Sequence, residues 1–213
     1  MDLDKFKEFP VLGILRGITE IDLEPLISTI IDSGLETIEI TLNTENALDL
    51  IRTAVKTSNG KLSIGAGTVL TKDAAKEAVN TGAEFIVTPA LICEVTKFCK
   101  ENKIPVFPGV LTPTEIYNAW QEGAAMVKVF PASVFGPKYF KELKGPFNNI
   151  KLMAVGGVTK ENISDFFKNG ADAAAFGASI FKQEWLAKKD FASIKKELDN
   201  FVASAKIAIS LEK

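Results

Sequence analysis

The residues best placed to do chemistry lie in Met126 to Pro131, Met-Val-Lys-Val-Phe-Pro, an apolar run broken by one lysine. If this run is a strand, its side chains alternate between faces. Val127 and Val129 then share one face, and Met126, Lys128 and Phe130 share the other. An ammonium in a buried strand is costly to keep charged without a partner, and desolvation favours the neutral amine, a nucleophile. On an exposed edge strand the same lysine would mean nothing, so its surroundings decide. Thr37 to Leu42 offers a carboxylate in a comparable setting. Ile38 and Ile40 fall on one face, and Thr37, Glu39 and Thr41 on the other. Lysine and glutamate facing one low-dielectric interior form either a buried ion pair or a nucleophile with its acid-base partner. The chain contains no histidine, which excludes histidine bases and histidine metal ligands. Cys93 and Cys99 are the only cysteines. Their spacing suits successive turns of one helix, so they read as inert thiols rather than as a disulfide or a metal pair.

Other candidates sit where apolar runs end. Arg16 closes the run Pro10 to Leu15, and a guanidinium there can hold a carboxylate through two hydrogen bonds. An ordinary rim salt bridge is the other reading. Thr68 follows Gly65-Ala66-Gly67, where small residues let a ligand approach the backbone. Gly156-Gly157 and Gly177-Ala178-Ser179 close two late runs, and either could be simple tight turning. Lys138, Lys141 and Lys144 form the strongest basic patch, with a solvated helix face as its default reading. Trp120 and Trp185 read as core or rim packing.

These residues need elements to hold them. Strand runs are expected at Pro10 to Leu15, Thr37 to Leu42, Leu62 to Ala66, Glu84 to Thr88, Pro105 to Phe107, Ala125 to Phe130, Leu152 to Val155 and Ala173 to Phe176. Helical periodicity is expected at Asp22 to Ser33, Glu45 to Lys56, Asp73 to Thr81, Ile92 to Glu101, near Lys138 to Lys144, and about Phe191 to Ile209. Gly34 suits the end of the first of these helices. Pro108-Gly109 reads as the stop of the fifth strand. Thr112-Pro113-Thr114-Glu115 has the form of a capping box opening a helix that ends at Gly123. Thr159 is expected to cap another helix, ending at Gly170.

Strand then helix recurs about eight times, which implies a parallel sheet covered by helices. One domain over residues 1–213 with about eight units points to a closed (β/α)8 barrel, an α/β fold, with an open doubly wound sheet as runner-up. No Gly-x-Gly-x-x-Gly follows the first strand, which disfavours a dinucleotide fold. In a barrel, catalytic groups gather at the C-terminal ends of the strands. Loops after strands seven and eight, with a helix N-terminus, commonly bind phosphate.

Composition narrows the function classes. Hydrophobic residues at 46% and charged ones at 24% describe an ordinary globular chain. A net charge of -2 gives no electrostatic case for nucleic acid or an anionic membrane. No apolar run reaches membrane-span length, and the charged start Met1-Asp2-Leu3-Asp4-Lys5 is unlike a signal peptide, so a cytoplasmic location is expected.

Five stretches carry a resemblance: Gly-Ile-Leu-Arg-Gly-Ile-Thr (13–19), Ile-Glu-Ile-Thr-Leu-Asn (38–43), Ile-Gly-Ala-Gly-Thr-Val-Leu (64–70), Val-Lys-Val-Phe-Pro-Ala (127–132) and Ala-Val-Gly-Gly-Val (154–158). In order and spacing the chain resembles the class I 2-keto-3-deoxy-6-phosphogluconate aldolases. That resemblance implies a homotrimeric (β/α)8 barrel that uses neither metal nor cofactor. Its members split a 2-keto-3-deoxy-6-phosphosugar acid into pyruvate and glyceraldehyde 3-phosphate. By position, Lys128 matches the Schiff-base lysine and Glu39 the general acid-base. Arg16 and Thr68 match groups around the pyruvyl carboxylate, and Pro89 and Phe130 the pocket wall. Gly156, Gly157, Gly177 and Ser179 match the phosphate end. Asn43 departs from the Thr-Leu-Arg-Thr of many gluconate-specific members. Members acting on the galactonate epimer carry Leu-Asn there and an arginine placed like Arg16, and Phe-Gly-Pro at 135–137 points the same way. Competing readings are a Schiff-base lyase or decarboxylase of a shorter keto acid such as 4-hydroxy-2-oxoglutarate, a phosphosugar isomerase, and a non-catalytic phosphosugar-binding barrel.

Overall fold

Short apolar runs ending in glycine or proline alternate with amphipathic stretches, and this alternation sets the chain path. The computed structural model describes residues 1–211. In order its elements are α1 (Leu3–Glu8), β1 (Val11–Leu15), α2 (Glu20–Ser33), β2 (Thr37–Thr41), α3 (Ala47–Ser58), β3 (Ser63–Gly67), α4 (Lys72–Asn80), β4 (Ile86–Thr88) and α5 (Cys93–Glu101). They continue as β5 (Val106–Val110), α6 (Pro113–Glu122), β6 (Val127–Val129), α7 (Pro137–Lys144), β7 (Leu152–Val155), α8 (Ile163–Lys168), β8 (Ala173–Phe176), α9 (Gln183–Ala187) and α10 (Phe191–Ser210). The eight strands form one closed parallel barrel in sequence order. Because β1 pairs with both β2 and β8, an open sheet is set aside.

Local signals explain many boundaries. Thr112 and Glu115 form the expected capping box with Pro113 in the first turn, and Gly123 ends α6 at φ +104°. Helix α2 starts two residues before its expected position, because the Asp22 carboxylate accepts from the Thr19 N–H and hydroxyl. Thr159 does not cap a helix. Its N–H donates to Asn162 Oδ1 in a turn, and Asn162 precedes α8. Strand β5 runs through Pro108-Gly109 to Val110, where a stop was expected. Proline's fixed φ lies within the range a strand allows. A Cβ on Gly109 would lie 2.6 Å from the Pro89 carbonyl oxygen, so the glycine is required by packing against β4 rather than by a turn.

The pleat sorts the strands into two layers. Ile38, Ile40, Val127 and Val129 pack outward against the helices. Inward, Leu12, Phe85, Val87, Phe107, Met126, Met153, Val155, Ala173 and Ala175 fill the lumen together with Phe6 of α1. Phe6 stacks on Phe107 at 6.1 Å and Phe107 packs on Phe85 at 5.5 Å, so α1 floors the N-terminal end with aromatic rings. Above this dry floor the lumen turns polar, at Glu39 and Lys128.

Candidate active site

Glu39 lies at the centre of β2, in register with Ile14 of β1 and Gly65 of β3. Lys128 lies at the centre of β6, in register with Gly109 and Met153. Both are buried, at 1% and 7% exposure, although each carries an ionisable head. Neighbouring glycines make the room. A Cβ on Gly67 would collide with the Glu39 carboxyl, and one on Gly65 with the Phe85 ring. The small residues of β3 are expected to leave space for a ligand, but at Gly65 and Gly67 that space is taken by the protein's own side chains.

Burial pushes the Glu39 carboxyl above the usual carboxylate range, and the Lys128 and Arg16 charges pull it back in part. Glu39 Oε2 is buried with no hydrogen-bond partner among the described residues. The ion pairs among the described residues do not include one between Glu39 and Lys128. That argues against the buried ion pair as the reason for these two residues. The Lys128 amine lies 5.2 Å from the centroid of the Phe130 ring, which is 42% exposed at the rim.

A cavity of about 570 Å³ opens at the C-terminal ends of the strands. Arg16, Glu39, Thr68, Pro89, Lys128, Phe130, Gly156, Gly157, Gly177 and Ser179 all line it, so the structure brings together every site residue expected from sequence. Arg16 follows β1, Thr68 β3, Pro89 β4, Phe130 β6, Gly156 β7 and Gly177 β8, so six strand ends contribute. Arg16 Nη2 lies 3.5 Å from Thr68 Oγ1. Thr68 holds φ +56°, a strained region for a β-branched residue, of the kind that concentrates at functional sites. Gly156 and Gly157 adopt φ +93° and +78°. Gly177 accepts from the N–H groups of Ile180 and Phe181 in a tight turn, and the Ser179 hydroxyl lies 3.5 Å from the Val158 carbonyl. Among the described residues, the N–H groups of Gly157, Ala178 and Ser179 donate to no backbone carbonyl. Such free donors suit an anion.

Asn43, expected only as a marker of the substrate epimer, also lines the cavity. The signal was present, since Glu39, Thr41 and Asn43 share one face by period two. The basic patch lies elsewhere. Lys144 is not on a solvated face: it donates to Asp172 at 2.6 Å and to the Ile150 carbonyl at 2.7 Å. Asp172 in turn accepts from the Leu152 N–H, which pins α7 beneath β7 and β8. Lys138 and Lys141 are exposed, as expected for a solvated face. Cys93 and Cys99 are free, and burial pushes the Cys99 thiol up to about 12. Among the described residues, no group of three or more His, Cys, Asp or Glu could hold a metal ion.

Known proteins resemble this chain in sequence and fold. Residues 3–197 match the family model described as aldolase, KDPG and KHG aldolase. The 2-dehydro-3-deoxy-6-phosphogalactonate aldolase of Escherichia coli (strain K12) is 36% identical over 82% of this chain and 86% of its own length. A solved structure described as native KDPGal superposes with a TM-score of 0.88 at 33% identity, covering 94% of this chain and 96% of that one. The KDPG aldolase of Legionella pneumophila, solved with pyruvate captured as a covalent carbinolamine, gives a TM-score of 0.84 at 25% identity, over 91% of this chain and 94% of that one. A matching family model over most of the chain, a closely similar relative and a shared barrel agree: the chain belongs to the KDPG and KHG aldolase family.

Proposed function

We propose that this protein is a class I aldolase that cleaves a 2-keto-3-deoxy-6-phosphosugar acid to pyruvate and glyceraldehyde 3-phosphate. One observation carries the reading. An amine and a carboxyl with an unpartnered oxygen share a dry-floored cavity without pairing with each other. Such a carboxyl is placed to exchange protons with a substrate. In the proposed cycle the Lys128 amine, in its free-base form, adds to the C2 carbonyl, and water leaves to give an iminium. Glu39 takes the C4 hydroxyl proton as the C3–C4 bond breaks. The electron pair passes to the iminium, forming an enamine, and the aldehyde departs. A proton returns from Glu39 to C3, and hydrolysis of the iminium frees pyruvate and the amine. Each step uses groups of this chain or water, so the cycle asks for no cofactor.

Arg16 holds the pyruvyl carboxylate, with Thr68 beside it, while Pro89 and Phe130 wall the pocket. Gly156, Gly157, Gly177 and Ser179 form the phosphate end, where the N–H groups of Gly157, Ala178 and Ser179 supply the donors. Asn43 lies at the cavity rim, and its likeness to members acting on the galactonate epimer supports that epimer as substrate. The test is borohydride trapping with pyruvate, read by mass spectrometry, beside pyruvate release from both phosphorylated epimers. A pyruvyl adduct on Lys128 with release from at least one epimer supports the aldolase. An adduct without cleavage points to a shorter keto acid. No adduct removes the covalent mechanism and leaves an isomerase or a binding barrel. A higher kcat/KM for the gluconate substrate would overturn the epimer preference.

A further inference from the structure

Arg16 supplies the guanidinium of the cavity, yet it stands on an exposed turn beyond β1, and its side-chain contact with Thr68 is long at 3.5 Å. A charged side chain grips a ligand well only when the backbone beneath it is fixed beforehand. The peptide group joining Arg16 to Gly17 is held at both ends. Its N–H, on Gly17, donates to Thr44 Oγ1 at 3.0 Å. Its carbonyl, on Arg16, accepts from Gln183 Nε2 at 2.8 Å. Because a peptide group is planar, fixing both ends fixes its orientation, and with it the direction in which the Arg16 side chain leaves the turn. Thr44 is itself anchored: it is 5% exposed and its hydroxyl lies 3.1 Å from that of Thr41, which is fully buried. Gly17 holds φ +63°, and a Cβ there would press on the Gln183 amide at 3.1 Å, so a glycine lets the clamp close.

We infer that Thr44 and Gln183 are positioning residues for Arg16, clamping one peptide plane so that the guanidinium faces the carboxylate end of the substrate. This rests on the reading of Arg16 as the carboxylate grip. The two clamps come from the turn just after the strand that carries Glu39 and from the segment just beyond the Ser179 turn. The clamp therefore ties Arg16 both to the acid-base carboxyl and to the phosphate end.

The experiment measures half-saturation for pyruvate in borohydride trapping on the full-length protein. Thr44→Val keeps the shape and deletes the hydroxyl. It should raise the half-saturation concentration about threefold to tenfold, the scale of one net hydrogen bond, with little change in trapping at saturation. Thr44→Ser should restore the wild-type value, and Gln183→Ala should behave like Thr44→Val. Added to Arg16→Ala, neither substitution should weaken binding further, because a group acting through Arg16 has nothing left to act on. Wild-type binding by both single variants, or an undiminished effect in the Arg16→Ala background, overturns the inference. If Arg16→Ala itself binds pyruvate like the wild type, the assignment of Arg16 to the carboxylate fails first. Should Thr44→Val not fold, the exposed Gln183→Ala decides by the same two comparisons.

Discussion

In the proposed cycle Lys128 is the nucleophile and Glu39 the acid-base group, and burial raises the proton affinity of the glutamate. Lys128→Ala should abolish both cleavage and trapping while leaving a folded barrel, as circular dichroism would show. Lys128→Arg should fail equally, because a guanidinium stays protonated and cannot form an imine. Retained cleavage in either variant would falsify the Schiff-base role. Glu39→Gln should lower turnover by about 10²–10⁴-fold, the usual worth of a general acid-base group, while pyruvate is still trapped. Since burial raises the Glu39 carboxyl, the acidic limb of the rate profile should lie above the usual carboxylate range, and Glu39→Gln should remove it. The same shift bears on stability. Folding favours the protonated carboxyl, so this contribution is present at low pH and is lost as pH rises through the raised value. Above that value Glu39→Gln removes a buried, under-solvated charge. It should stabilise the fold at pH values above the ordinary carboxylate range, a gain that fades in acid, as melting curves at several pH values would show. A melting temperature that does not respond to pH in this way would place the carboxyl in better-solvated surroundings than β2 provides.

At the scale of elements, function divides between strand centres and strand ends. Ser179→Asp sets a negative charge on the turn after β8, where the phosphate is proposed to bind, and should raise KM sharply for phosphorylated substrates. Pyruvate trapping should change little, since pyruvate has no phosphate. Arg16→Ala should weaken both. If it spares trapping but loses the phosphorylated substrate, Arg16 belongs to the phosphate end. Much of this division was legible in the sequence. A charged residue in the centre of an apolar period-two run marked Glu39 and Lys128, and glycine turns marked the ends of β7 and β8. What escaped has physical reasons. Helices α1 and α9 span six and five residues, too few for helical periodicity to register. Pro108-Gly109 looks like a break but serves the close approach of β4 and β5. The Gln183 contact to Arg16 joins residues 167 positions apart, which no local pattern can show.

At the scale of the molecule, the barrel joins a sealed floor to an open mouth. Phe107 is fully buried between Phe6 and Phe85. Phe107→Ala should cost about 3–5 kcal/mol through the cavity it leaves, read as a lower denaturation midpoint at unchanged slope. A loss below about 1 kcal/mol would mean that the floor repacks. We also propose, from the family resemblance, that the protein assembles as a homotrimer. Sedimentation should then give three times the chain mass of 23.1 kDa. Val134 and Phe135, 59% and 55% exposed, offer an apolar face for that contact. Phe135→Glu should shift the trimer toward monomer, and an unchanged mass would move the contact elsewhere. The separation of floor from mouth has an evolutionary consequence. Asn43, Thr68 and Ser179 line the mouth and lie outside the buried hydrophobic core that holds the barrel closed. Selection can therefore vary Asn43, which holds neither the carboxylate nor the phosphate in the proposed cycle, to follow a different hydroxyl configuration while the melting temperature barely moves. A lineage with this architecture can change its diet without first having to survive a loss of stability.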